Sequence, residues 1–139
     1  MKRTALIIAA IAALLCCAAS CTKNEFSTIQ AEYGWDMNGA TYLSFDNYNM
    51  ARNLNSELCE AVDNAFTANG FDNYQTGSFF SQKAMSNTEA KALLKLIVSR
   101  VKPDSYTVSG YNYDFVIRYK LYDKDWVEVY RKNLYKPAE

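Results

Sequence analysis

Histidine is missing from this 139-residue chain. Its absence excludes Ser-His-Asp and Cys-His catalysis, imidazole metal sites and a histidine general base. Chemistry would have to rest on carboxylates, lysine or tyrosine. Cysteine is scarce: of four, Cys16, Cys17 and Cys21 crowd together near the N-terminus, and only Cys59 lies beyond them. An excess of one charge is also lacking, with 15 basic and 15 acidic residues. No nucleic-acid footprint or polybasic membrane patch results. Among the five glycines there is no phosphate-binding loop, and no repeat or low-complexity stretch interrupts the chain. The longest apolar run, Ala5 to Leu15, falls short of the roughly 20 residues that cross a bilayer as a helix.

That run has a different meaning. Lys2 and Arg3 precede it, and Ala18-Ala19-Ser20 follow it. A charged start, a short apolar stretch and small residues make a secretory signal peptide. Cys21 comes next. Ala18-Ala19-Ser20-Cys21 resembles the lipobox of bacterial lipoproteins, with Ala18 where the family more often has Leu. The resemblance implies that residues 1–20 are removed, that the Cys21 thiol carries a diacylglyceryl group, and that the new amino group is acylated. A thiol suits this because its thiolate is the nucleophile. Cys16 and Cys17 fit poorly, since Leu14 and Leu15 precede them and large residues there block cleavage. Asp after the cysteine is the inner-membrane retention signal of the family. Thr22 therefore implies the outer membrane, and Lys23-Asn24-Glu25 resembles short charged signals for surface export. Which side of the membrane the domain faces stays open.

The mature chain would be residues 21–139, with residues 21–28 as a lipidated tether and residues 29–139 as one domain. This length is sufficient for a core without staples. Cys59 would then have no disulfide partner. It is either a small buried apolar residue or a reactive or intermolecular thiol. Charge divides unevenly: residues 22–90 hold three basic and nine acidic side chains, residues 91–139 ten and six. Either the two halves face each other, or the second presents a basic surface to an anionic partner.

Local patterns mark the elements. Asn38-Gly39 inside Ile29–Phe45 predicts a type I′ hairpin with Trp35 opposite Tyr42. Ala51, Leu54, Leu58, Ala61, Val62 and Ala65 make a helical stripe within 49–69, ended by Gly70, with Phe71 packing back. Residues 71–83 show no period and read as loop, with Ser78-Phe79-Phe80 able to form a short strand. Ser86-Asn87-Thr88-Glu89 is a capping box; the helix it opens turns Ala90, Leu93, Leu94, Ile97 and Val101 inward and stops at Pro103. From Tyr113 to Leu121 the odd positions are apolar or aromatic. A loop of Asp123-Lys124-Asp125 would put Leu121 opposite Val127, Tyr119 opposite Val129, Lys120 opposite Glu128, Arg118 opposite Tyr130 and Tyr122 opposite Trp126. The expected fold is α+β: an antiparallel sheet of about four strands, in two hairpins, with two helices on one face.

The candidate binding surface is the outward face of that last hairpin, with Arg118, Tyr122, Trp126 and Tyr130. Aromatic and arginine side chains suit protein interfaces and stacking on sugar rings. The same residues also fit an ordinary solvated sheet face. Carboxylate pairs occur at Asp123 and Asp125, and at Glu57 and Glu60. Glycoside hydrolysis by such a pair needs a cleft and a raised pKa, and a calcium ion at Asp123 and Asp125 needs further oxygen ligands. The expectation is a lipid-anchored envelope protein, attached to the membrane through Cys21 and non-enzymatic, that binds an envelope protein or glycan without nucleic acid, metal or cofactor. The alternatives are an inhibitor or immunity lipoprotein acting on a hydrolase, and a carboxylate-dependent hydrolase.

Overall fold

The computed structural model describes residues 26–36, 54–75, 77–108 and 112–137. The elements are β1 (Ile29–Asp36), α1 (Ser56–Ala68), β2 (Phe71–Gln75), β3 (Ser78–Ser81), α2 (Asn87–Val101), a 3-10 turn (Pro103–Ser105), β4 (Asp114–Leu121) and β5 (Val127–Asn133). One five-stranded sheet runs in the order β2-β3-β1-β4-β5. Each neighbouring pair is antiparallel. The architecture is α+β as expected, with five strands where about four were predicted.

Two of the five strands come from the stretch read as loop, and one of them, β3, holds Ser78-Phe79-Phe80, the segment able to form a short strand. Residues 71–81 form the β2–β3 hairpin, turning at Gly77 with φ 80. Along β2 only Phe71 is buried. An edge strand with one buried residue has no alternation to read, so periodicity could not find it. β1 is central. It pairs with β4 along its whole length and with β3 from Gln30 to Glu32, so Trp35 lies opposite Phe115 with ring centroids 4.9 Å apart. The hairpin predicted to turn at Asn38-Gly39 has its second limb outside the described residues.

α1 begins later than its apolar spacing indicated. Asn55 is the N-cap, its Oδ1 accepting from the Leu58 N–H at 2.9 Å. Residues 49–53 lie outside the described part. Leu58, Cys59, Val62 and Phe66 are the buried stripe, with Ala61 and Ala65 at its margin. Cys59 is thus an interior residue. Gly70 takes φ 87 after the helix, and Phe71 returns edge-on to Phe66 at 5.1 Å. The capping box of α2 is complete: Ser86 Oγ accepts from the Glu89 N–H at 3.2 Å, and the Ser86 N–H donates to Glu89 Oε1 at 3.1 Å. That helix ends on Lys102 in a left-handed conformation, just before Pro103.

Both helices cover one sheet face. The Tyr33 hydroxyl donates to Asp63 Oδ1 of α1 at 2.8 Å, and the Tyr119 hydroxyl to Asn87 Oδ1 of α2 at 2.6 Å. Between them Phe79, Phe115 and Ile117 of the sheet meet Val62, Phe66, Leu94 and Ile97 in one core. Each such side chain contributes about 1.5–3 kcal/mol by leaving water. β1 and β2 run parallel with β3 between them; β3 and β4 run parallel with β1 between them. Two interleaved split β-α-β units give this order, and β5 extends it beyond β4. The other sheet face carries no described helix.

Candidate functional site

The hairpin of β4 and β5 differs from its predicted register. Tyr119 lies opposite Val127 and Arg118 opposite Glu128; a bulge follows, and Ile117 lies opposite Tyr130. The reason is at the tip. The Tyr122 N–H is bonded to Ser27 Oγ at 3.0 Å and to the Thr28 carbonyl at 3.3 Å. The incoming chain therefore holds Tyr122, which does not pair with Trp126, and the connection lengthens to residues 122–126. Asp123 turns it with φ 68, and the Lys124 N–H closes back on the Leu121 carbonyl at 2.9 Å.

One extra residue at a bulge moves every later side chain to the opposite face. Tyr130, predicted to point outward, packs on the core side, edge-on to Phe115 at 6.3 Å. Its hydroxyl donates to Asp104 Oδ1. Burial, reinforced by that bond, pushes the Tyr130 phenol well above its ordinary pKa. The same bond, with Lys132 Nζ at 3.0 Å, holds Asp104 below the ordinary carboxylate value. Tyr130 therefore does not share a surface with Arg118, Tyr122 and Trp126, and the expected Arg118–Tyr130 and Tyr122–Trp126 pairs do not form.

Arg118 and Trp126 do come together. The Arg118 guanidinium carbon is 4.1 Å from the Trp126 ring centroid, and Lys120 Nζ is 4.9 Å from it. Two cations at one indole define its position and supply cation–π attraction. Arg118 Nη2 also lies 2.9 Å from Glu32 Oε1, on the central strand. Tyr122 stands at the tip, 70 % exposed. Cys21 lies outside the described residues.

Arg131, which periodicity did not single out, organises the other end of this outer face. Its Nη1 is 2.6 Å from Asp36 Oδ2 and 3.0 Å from Asp114 Oδ2. Its Nε and Nη2 grip Glu128 at 3.0 and 2.7 Å in a two-pronged contact. Glu128, predicted to pair with Lys120, is engaged here. The sequence signal was the carboxylate-rich set around one arginine, legible only once β1, β4 and β5 are adjacent. Arg118–Glu32 and Arg131–Asp36 each join a base of the second half of the chain to an acid of the first, so the uneven halves do face each other across this sheet.

A cavity of about 350 Å³ lies at the tip end of the core face, lined by Asn87, Tyr119, Leu121, Lys124, Asp125 and Val127. Among the described residues it brings in one carboxylate, not the pair a carboxylate hydrolase needs. Its phenol, Tyr119, is engaged by Asn87, and burial raises the Tyr119 pKa, which keeps the hydroxyl neutral. Asp123 and Asp125 sit exposed on the connection, and Glu57 and Glu60 are exposed on α1. Among the described residues no three acidic or cysteine side chains are grouped to hold a metal ion. No protein-family model matches the chain, and no curated protein or solved structure matches it significantly.

Proposed function

We propose that the protein is a lipid-anchored component of the bacterial envelope, on the outer membrane, whose domain binds a partner and catalyses no reaction. The observation that carries this reading is Ala18-Ala19-Ser20-Cys21 directly behind a short apolar run. An acylated Cys21 holds the domain at the bilayer surface and raises its effective concentration toward other envelope components. The partner-facing surface is the outer sheet face around Arg118, Lys120 and Trp126. An indole fixed by two cations loses little freedom on binding a protein or glycan.

The anchor is tested by the intact mass of the native protein and by its fractionation after lysis. The expected result is a chain starting at residue 21, heavier by its acyl groups and confined to membranes. An unmodified mass with recovery in the soluble fraction overturns it. The binding surface is tested by photo-crosslinking in intact cells, comparing wild type with Arg118→Ala/Trp126→Ala. Loss of a specific adduct from the folded double variant is expected; an unchanged adduct pattern rejects the surface.

A further inference from the structure

The chain leaving Cys21 enters the fold at the β4–β5 tip. Ser27 bridges to Met85, and Ser27 and Thr28 accept from the Tyr122 N–H, one step before Ile29 pairs with Leu121. Two aromatic side chains protrude at this junction, Phe26 at 62 % and Tyr122 at 70 % exposure. No other large apolar side chain among the described residues is as exposed. They come from segments nearly a hundred residues apart, brought together by hydrogen bonds rather than by sequence. From Cys21 to Phe26 the chain advances five residues, which extend at most about 18 Å. Residue 21, if acylated, sits at the headgroup level, so the tip cannot leave the bilayer surface by more than that span.

We infer that the Phe26–Tyr122 tip is a bilayer-docking surface that seats the domain, tip down, in the lipid headgroup layer. This rests on the lipid-anchor reading above. Tyr122 suits the membrane–water interface, where the ring leaves water and the hydroxyl stays hydrated, and Phe26 adds an apolar ring that leaves water with it. The charges of the β4–β5 connection balance, Lys120 and Lys124 against Asp123 and Asp125, and Lys83, two residues from the Met85 that bridges to Ser27, adds a cation. The docking is carried by the two rings and does not require anionic lipid. Tyr122 then belongs to the membrane side, which leaves Arg118 and Trp126 for a soluble partner.

The test uses the full acylated protein, reconstituted in phosphatidylcholine vesicles. A spin label is placed at Thr28, exposed two residues after Phe26 and bonded through its carbonyl to the Tyr122 N–H, or at Arg100, exposed in the last turn of α2. Collision with a water-soluble nickel complex is expected to be several-fold lower at residue 28 than at residue 100. Phe26→Ser/Tyr122→Ser should restore residue 28 to the level of residue 100 and leave residue 100 unchanged. Equal accessibility at the two positions in wild-type protein of acylated mass overturns the docking while the anchor stands. Protection that high salt removes replaces aromatic docking by electrostatic attraction and also overturns it. A native chain of unmodified mass overturns the anchor, and the docking with it.

Discussion

Arg131 on the edge strand reaches over β4 to Asp36 on the central strand, Nη1 to Oδ2 at 2.6 Å. Asp36 is 3 % exposed, and among the described residues its Oδ1 finds no hydrogen-bond partner. Removing the guanidinium leaves this carboxylate buried and uncompensated, which is the costly half of breaking a buried pair. Arg131 is itself partly solvated, so the cost is below that of a fully interior pair. Arg131→Met is expected to lower stability by about 2 kcal/mol. Arg131→Met/Asp36→Asn should recover part of the loss. Urea unfolding of the double-mutant cycle measures both; a cost unchanged by Asp36→Asn would show that Asp36 is not the cause.

Tyr130 and Asp104 make opposite contributions to pH dependence. The folded-state pKa of Tyr130 is raised, so its contribution is complete below about pH 10, the ordinary tyrosine value. It is lost as pH rises further, because the unfolded chain ionises first. Tyr130→Phe should flatten the stability profile above about pH 10, where the unfolded chain ionises first. Asp104 is lowered, so its contribution is complete above the ordinary carboxylate value and disappears as pH falls below it. Asp104→Asn should flatten that acidic limb. Urea midpoints across both ranges decide, and unchanged slopes would refute the pairing.

Cys59 is fully buried in α1. In the native acylated protein no thiol is therefore expected to react quickly with an aromatic disulfide reagent, and one should react on unfolding. A fast-reacting thiol in the native state would mean either an unmodified Cys21 or an open core, and mapping the adduct by mass separates the two.

Ser86→Ala removes the acceptor of the α2 capping box and should cost about 1 kcal/mol. Lys102→Gly works in the other direction. Lys102 ends α2 at φ 54, where a side chain is strained and glycine is not. Relief of that strain exceeds the entropy glycine adds to the unfolded chain, for an expected gain of about 0.5 kcal/mol. Thermal unfolding of the two variants checks both signs.

Signals that act over one turn of chain could be read from residue order alone. Ser86 and Glu89 are three apart and satisfy each other's backbone; Gly70 follows a helical stripe and takes the conformation only glycine adopts easily. The inward row Phe115, Ile117, Tyr119 and Leu121 declares itself by alternation. These short-range energies do not depend on what lies across the sheet, so the two helices and the α+β class were accessible without coordinates. The same holds for the unfitness of the chain for histidine chemistry.

Other features depended on choices between distant partners. β1 pairs with strands about fifty and ninety residues away, β3 and β4, and burial in a common core settled that adjacency. The β4–β5 register turned on Ser27 and Thr28 capturing the Tyr122 N–H, a contact of 95 residues' separation in the case of Ser27. A separate bulge between Ile117 and Arg118 sent Tyr130 inward and brought Arg131 to Asp36. No pattern along one strand encodes such an event, because a bulge moves every later side chain to the opposite face, and only the neighbours met there decide whether that exchange is favourable.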